Sequence, residues 1–231
     1  MAAGPQGEIR RGFQPTRIEI SDMLSRTWQI FKANLWPCVG VAVFLIAVSW
    51  GGSFAFGFAT AGRQPTFSEQ MVNLVFLIVQ LWLGLGQIIF LLKIARGESA
   101  AFSDVFTGGP FLLPAIGLWI IILSLFVLGF ILLIFPAFVV LMMFGPSFLV
   151  LIDKKAGVIE SLQMSRQATS GNKLTLFALY LVAVFGGGMF TLVTCLVGAV
   201  FVQPFVTLLF CVCYLAMTGQ TTADQRYAQA Q

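Results

Sequence analysis

Residues 105–152 contain no charged side chain, and neither do residues 174–223. An ordinary soluble domain carries about 25% charged residues, and a surface built from two such stretches cannot be kept in water. The chain is 10% charged and 58% hydrophobic, with a mean hydropathy of +0.94. Its solvent must be mostly lipid. A membrane-crossing helix needs about 20 apolar residues. Leu35–Ala59 supplies the first span and residues 71–92 the second. Residues 111–152 form one helix of about 63 Å if unbroken, roughly twice the hydrocarbon thickness, so they must cross twice. Gly129 to Pro136 holds the turn, because Gly and Pro punctuate helices. Residues 174–217 fold back for the same reason, with the turn at Gly198 and Pro204 in the first turns of the last span. The sequence thus predicts an all-α, polytopic membrane helix bundle with six transmembrane helices.

Orientation follows from the basic residues, which concentrate in cytoplasmic loops. With the N-terminus inside, Arg10, Arg11, Arg17, Arg26, Lys32, Lys93, Arg96, Lys154, Lys155, Arg166, Lys173 and Arg226 are all cytoplasmic, twelve of the 13 basic residues. Only Arg63 falls outside. Both termini are therefore expected in the cytoplasm. No signal peptide is visible, and residues 1–16 read as a flexible arm. Residues 17–218 form the membrane domain and 219–231 a polar cytoplasmic tail. The net charge of +4 is a topology signal, since no basic helix or aromatic–basic module for nucleic acid is present.

Polar segments precede each pair of spans. In RIEISDMLSRTWQIFKAN, Ile20, Leu24, Trp28 and Phe31 recur at helical spacing, with Asp22, Arg26 and Lys32 on the other side. Asp22 and Arg26 form an i,i+4 pair, and Thr16 and Glu19 have capping-box spacing. In AFSDVFTGG, Phe102, Val105 and Phe106 make a face with Asp104 opposite. In VIESLQMSRQATSGN, Val158, Ile159, Leu162 and Ser165 line one side, with Glu160 and Gln167 on the other. The three share ISDML, FSDVF and VIESL, each followed by a helix breaker: Asn34 with Pro37, Gly108-Gly109-Pro110, and Gly171-Asn172. The expected unit is a surface helix, a corner and a hairpin, repeated over 17–92, 98–152 and 157–217. Three cytoplasmic interfacial amphipathic helices result. They either pack the ends of the spans or present a surface for a protein partner or lipid headgroups. Asp22, Arg26, Asp104, Glu160, Arg166 and Asn172 are the candidates for such an interface.

FSDVF, followed by a hairpin ending in FGPSFLVLIDKKAGVIESLQMSRQATSGN and then two further spans, resembles a family of uncharacterised bacterial membrane proteins. It is similar to the membrane domain attached to some glycerophosphodiester phosphodiesterases. The resemblance covers about residues 15–220, and residues 153–172 are its most specific part. It implies a six-span helical fold in the cytoplasmic membrane of a bacterium. It does not carry over the phosphodiesterase activity, which belongs to a separate barrel that this chain lacks.

Chemistry is scarce within the spans. The chain has no His, which removes the commonest general acid/base and metal ligand. No ionisable residue is expected at mid-bilayer, which argues against a carboxylate-coupled transporter and a charged pore. Gln80 and Gln87 lie seven apart on the second span, where they either bond neighbouring helices or line a solute path. Gly186, Gly187 and Gly188 either allow close helix packing or break the fifth span, as in transporters. Cys38, Cys195, Cys211 and Cys213 read as small apolar residues, with a Cys211–Cys213 redox pair as the alternative. Trp36, Trp50 and Tyr214 read as interfacial belt residues. No cofactor or metal is expected. The expectation is a non-catalytic module that organises, regulates or docks a partner at the cytoplasmic face, with membrane lipids as further partners. The alternative is a transporter or channel for a neutral or lipidic solute.

Overall fold

The computed structural model describes residues 16–132, 139–140, 142–194 and 196–229. Residues 1–15 of the expected arm, Cys195 and residues 133–136 of the turn expected between Gly129 and Pro136 lie outside them. The described residues form helices and no strand: α1 (Ile20–Ala33), α2 (Leu35–Ala59), α3 (Phe67–Arg96), a 3-10 turn (Phe102–Phe106), α4 (Leu112–Leu132), α5 (Ser147–Lys154), α6 (Val158–Ala168), α7 (Lys173–Leu181), α8 (Gly187–Val193), α9 (Ala199–Met217) and α10 (Ala223–Gln229). Five helical runs are long and apolar enough to cross a membrane: Leu35–Ala59, Phe67–Arg96, Phe102–Ile131, Lys173–Val193 and Ala199–Met217. Helix α4 continues to Leu132, past Gly129. Residues 139–140 and 142–144 are also helical and lead towards α5.

The boundaries follow from local chemistry. Asn34 closes α1, its side-chain amide donating to the Ile30 carbonyl at 3.0 Å. Helix α2 begins at the next residue. Pro37 sits in its first turn, where a missing N–H costs nothing. Thr66 and Glu69 form a capping box at the start of α3, and Gly97 ends it in the left-handed conformation at φ 71. Thr194 and residues 196–198 are in turns, and the Thr194 hydroxyl accepts from the Gly198 N–H at 2.8 Å.

Helix α9 is the axis of the bundle. Half of its apolar window is buried, against 11% for α2. It packs on α1, α2 and α3. Helices α2, α3, α4, α7 and α8 turn apolar faces outward, and Phe58 is 88% exposed. A patch of this extent is untenable in water and is the normal condition of a helix in lipid. Because lipid tails are as apolar as leucine, close van der Waals fit holds such helices together. Gly52 shows this: a Cβ there would stand 2.1 Å from Phe76 Cζ.

Several expectations are corrected. Helix α1 buries Met23, Thr27, Ile30 and Phe31, while Trp28 is 51% exposed. Of the expected stripe, Phe31 is buried and Ile20 and Leu24 pack against the core, so only Trp28 departs from it, and Thr27 joins the buried side with its hydroxyl donating to the Met23 carbonyl at 2.7 Å. Thr16 and Glu19 form no capping box. Helix α1 starts at Ile20 with no side-chain cap, and Thr16 belongs to an extended segment held elsewhere. The second surface element is a five-residue 3-10 turn rather than an amphipathic α-helix. Within the described part of the polar segment after α9, Thr222 and Ala223 are buried and α10 packs on α1 and α3. The Gly186–Gly188 run does not break its helix. A π turn over Val182–Gly186 joins α7 to α8 with helical backbone angles at both ends.

Candidate functional site

Ile89, Leu92, Lys93 and Arg96 recur at i, i+3, i+4 and i+7, so they share one face of the last turns of α3. Two apolar side chains thus give way to two cations at the helix end. The next segment folds directly back onto this helix. Two glycines permit it: a Cβ on Gly86 would lie 1.7 Å from the Val105 carbonyl oxygen, and one on Gly108 would lie 2.5 Å from the Trp82 carbonyl oxygen. The 3-10 turn therefore rests backbone to backbone on α3. Val105 is buried, and Asp104 is carried to the Lys93 ammonium at 2.7 Å. The second Asp104 oxygen accepts from the Ala101 N–H at 2.9 Å. Asp104 is therefore not opposite the apolar face, as its spacing suggests, but part of the packed side.

Beside this pair stands a second, more enclosed one. Asp153, near the end of α5, pairs with Arg96 Nη2. It also accepts from the Tyr214 hydroxyl at 2.7 Å and from Gln220 Nε2 at 3.0 Å, and Gln220 Oε1 accepts from Arg96 at 2.8 Å. The Asp153 side chain is 5% exposed and that of Arg96 21%. Burial pushes the Asp153 carboxyl upward, but the three donors and the Arg96 charge overcome it and hold the group below the usual carboxylate range. Four elements are tied here: α3, α5, α9 and the segment before α10. Tyr214 is fully buried in this network rather than placed at an interfacial belt.

Between the two pairs lies a cavity of about 330 Å³, lined by Ile89, Leu92, Phe111 and Ile152 on its apolar side. Lys93, Arg96, Glu98, Asp104, Asp153 and Lys155 supply its polar side. Lys155 caps α5 with φ 49, an uncommon conformation for a residue other than glycine.

The six expected interface residues are not gathered into one site. Arg26 Nε contacts Asp22 at 2.9 Å and Asp224 of α10 at 3.9 Å. Asn172 is buried, its Oδ1 accepting from the Ile18 N–H at 3.1 Å and its Nδ2 donating to the Thr16 carbonyl at 2.7 Å. Glu160 reaches back to the Gly157 N–H at 3.3 Å at the start of α6. Arg166 is exposed. Apart from Asp22 with Arg26, no hydrogen bond or ion pair among the described residues joins one of the six to another. The chain matches no protein-family profile, no curated protein and no solved structure.

The solute-path residues are also dispersed. Gln87 and Gln203 exchange two amide hydrogen bonds, at 2.9 and 2.8 Å, between α3 and α9. Gln80 accepts from the Ser49 hydroxyl at 3.3 Å. Gly186 and Gly187 line an apolar groove of about 230 Å³ with Leu24, Val202 and Phe205, away from both glutamines. Gly188 faces open space. Cys38, Cys211 and Cys213 are buried free thiols. Among the described residues no three His, Cys, Asp or Glu side chains are grouped to hold a metal.

Sequence reasoning missed the Arg96–Asp153–Tyr214–Gln220 network. A signal existed: Asp153 is the only carboxylate between Asp104 and Glu160. It ends a charge-free stretch, where an acid next to lipid needs a partner.

Proposed function

We propose that the protein is a non-catalytic integral membrane module that docks or regulates a partner through its cytoplasmic face. On this reading residues 136–152 supply a sixth span, the termini are cytoplasmic and the membrane is the inner membrane of a bacterium. The observation that carries it is the contrast between the two parts of the bundle. Within the spans, Gln87 and Gln203 satisfy each other and Ser49 donates to Gln80. The charged end is braced by partly buried ion pairs from several helices, and it still presents exposed side chains outward. Trp28 stands exposed with the Lys32 ammonium 5.5 Å from its ring centre, and Arg166 and Ile159 are exposed on α6. Braced scaffolds with aromatic and arginine anchors are the usual form of a protein-binding surface.

The test is native mass spectrometry after gentle extraction from the native membrane. A stoichiometric protein partner lost in Trp28→Ala and Arg166→Glu, with melting unchanged, supports docking. A protein released only as monomer or homo-oligomer refutes it. Transport of a neutral or lipidic solute is the second reading, favoured by the π turn, since such turns concentrate at functional sites. Its path would start in the groove at Gly186 and Gly187.

A further inference from the structure

The cavity at the end of α3 has unused chemistry. Its axis runs from apolar to charged within two helical turns, from Ile89 and Leu92 to Lys93 and Arg96. A ligand that fits must be apolar at one end and polar at the other. Its volume of about 330 Å³ falls at the lower end of the range for small-molecule sites.

The charges define the polar end of the ligand more closely. Of the six ionisable groups in the lining, four cancel in pairs: Lys93 with Asp104 and Arg96 with Asp153. Glu98 and Lys155 remain, both exposed, and neither has an ion-pair partner among the described residues. They are opposite in sign and share one rim. An anionic ligand alone leaves Glu98 repelled, and a cationic one leaves Lys155 repelled. A ligand bearing both signs meets both. Lys93 uses one of its three ammonium protons on Asp104 and retains donors for an anion beside Lys155. Lys155 is held in its left-handed backbone conformation, the type of outlier that clusters at ligand sites.

We propose that this cavity binds one phospholipid with a zwitterionic, primary-amine headgroup. Lys155 and Lys93 hold the phosphate, Glu98 holds the ammonium, and the start of an acyl chain lies on Ile89, Leu92, Phe111 and Ile152. A primary ammonium donates hydrogen bonds to a carboxylate, which a quaternary one cannot do, so the site prefers phosphatidylethanolamine to phosphatidylcholine. The inference rests on the membrane placement of the chain and not on the docking role.

The test is native mass spectrometry of the full chain released from mixed micelles of phosphatidylethanolamine, phosphatidylglycerol and phosphatidylcholine, equimolar and with identical chains. The expected result is one retained phosphatidylethanolamine in excess over both others. Glu98→Gln, an exposed change that leaves melting unaltered, lowers its retention about tenfold, as loss of a charge-assisted hydrogen bond predicts, and abolishes the preference over phosphatidylglycerol. Lys155→Gln lowers retention of all three. Wild-type protein that retains phosphatidylglycerol as well as phosphatidylethanolamine overturns the proposal, as does unchanged retention in Glu98→Gln. Water-soluble glycerophosphoethanolamine provides the remaining arm. Displacement of the lipid by an equal concentration of it shows a site for the free headgroup and refutes the lipid occupant.

Discussion

Replacing Arg96 by Met isolates the worth of the buried ion pair. Met keeps the length and apolar bulk of the arginine stem and removes the charge. Asp153 is then left 5% exposed, with only the neutral donors Tyr214 and Gln220 bonded to it and the Lys154 ammonium 4.0 Å away. Removing one partner of a buried pair costs about 3–5 kcal/mol. The two remaining hydrogen bonds and Lys154 place this case at the low end, about 3 kcal/mol, or more than a hundredfold in the folding equilibrium. Asp153→Asn alone costs less, about 1 kcal/mol, because Arg96 is 21% exposed and can turn to water. In the double variant no buried charge is stranded, and the Asn carbonyl still accepts from Tyr214. Its cost therefore falls well short of the sum of the two single changes, with a coupling of at least about 1.5 kcal/mol. The assay is detergent-driven unfolding in bicelles, followed by tryptophan fluorescence and far-UV circular dichroism. An Arg96→Met cost below about 1 kcal/mol, or strict additivity in the double variant, refutes the reasoning.

The same carboxylate sets a pH dependence. Its folded pKa is depressed, so its stabilisation is fully present above the unfolded value of about 3.9 and is lost as pH falls below it towards the folded value. Unfolding midpoints in an acid series should drop below about pH 4, and the drop should shrink in Asp153→Asn. Gly86→Val puts a branched side chain against a carbonyl oxygen that already lies 1.7 Å from a bare Cβ. The backbone must withdraw, at a cost of about 3 kcal/mol or more, and a cysteine crosslink between positions 93 and 104 should then fail to form. Asn172→Ala orphans the buried Ile18 N–H, costing about 1–3 kcal/mol, and should speed proteolysis after residue 16. For topology, a single cysteine at position 63 should be labelled from outside the cell and one at position 154 should not.

The apolar helices were legible because length and hydropathy alone decide whether a segment can satisfy its backbone in lipid. The corners at Asn34 and at Gly171-Asn172 were legible for a local reason as well: both residues tolerate the backbone conformations that end helices. The exposure of Trp28 and the burial of Thr27 on α1 were not. Periodicity marks an apolar stripe, but in a membrane that stripe faces lipid as readily as protein, so Trp28 stayed outside and Thr27 went in. Asp104 was misplaced because its burial depends on Gly86, a residue on another helix whose absent side chain admits the Val105 carbonyl. The Arg96–Asp153 pair spans 57 positions, and no local spacing encodes it.

The extended segment before α1 carries a consequence for biosynthesis. Its backbone is gripped by Asn172, its Thr16 N–H donates to the Met217 carbonyl at 3.4 Å, and α1 packs along α9. The ribosome delivers these partners last. At about 5–20 residues per second, the stretch from position 16 to position 217 takes about 10–40 s to synthesise. Throughout that interval α1 has only its smaller contacts with α2 and α3 and lacks the α9 surface against which it packs most extensively. It must wait on the bilayer, with Met23, Ile30 and Phe31 sheltered by lipid, until the last span arrives to collect it. Helix α1 is thus made before most of the bundle but completes its packing late, and its docking on α9 reports that translation has passed the last span.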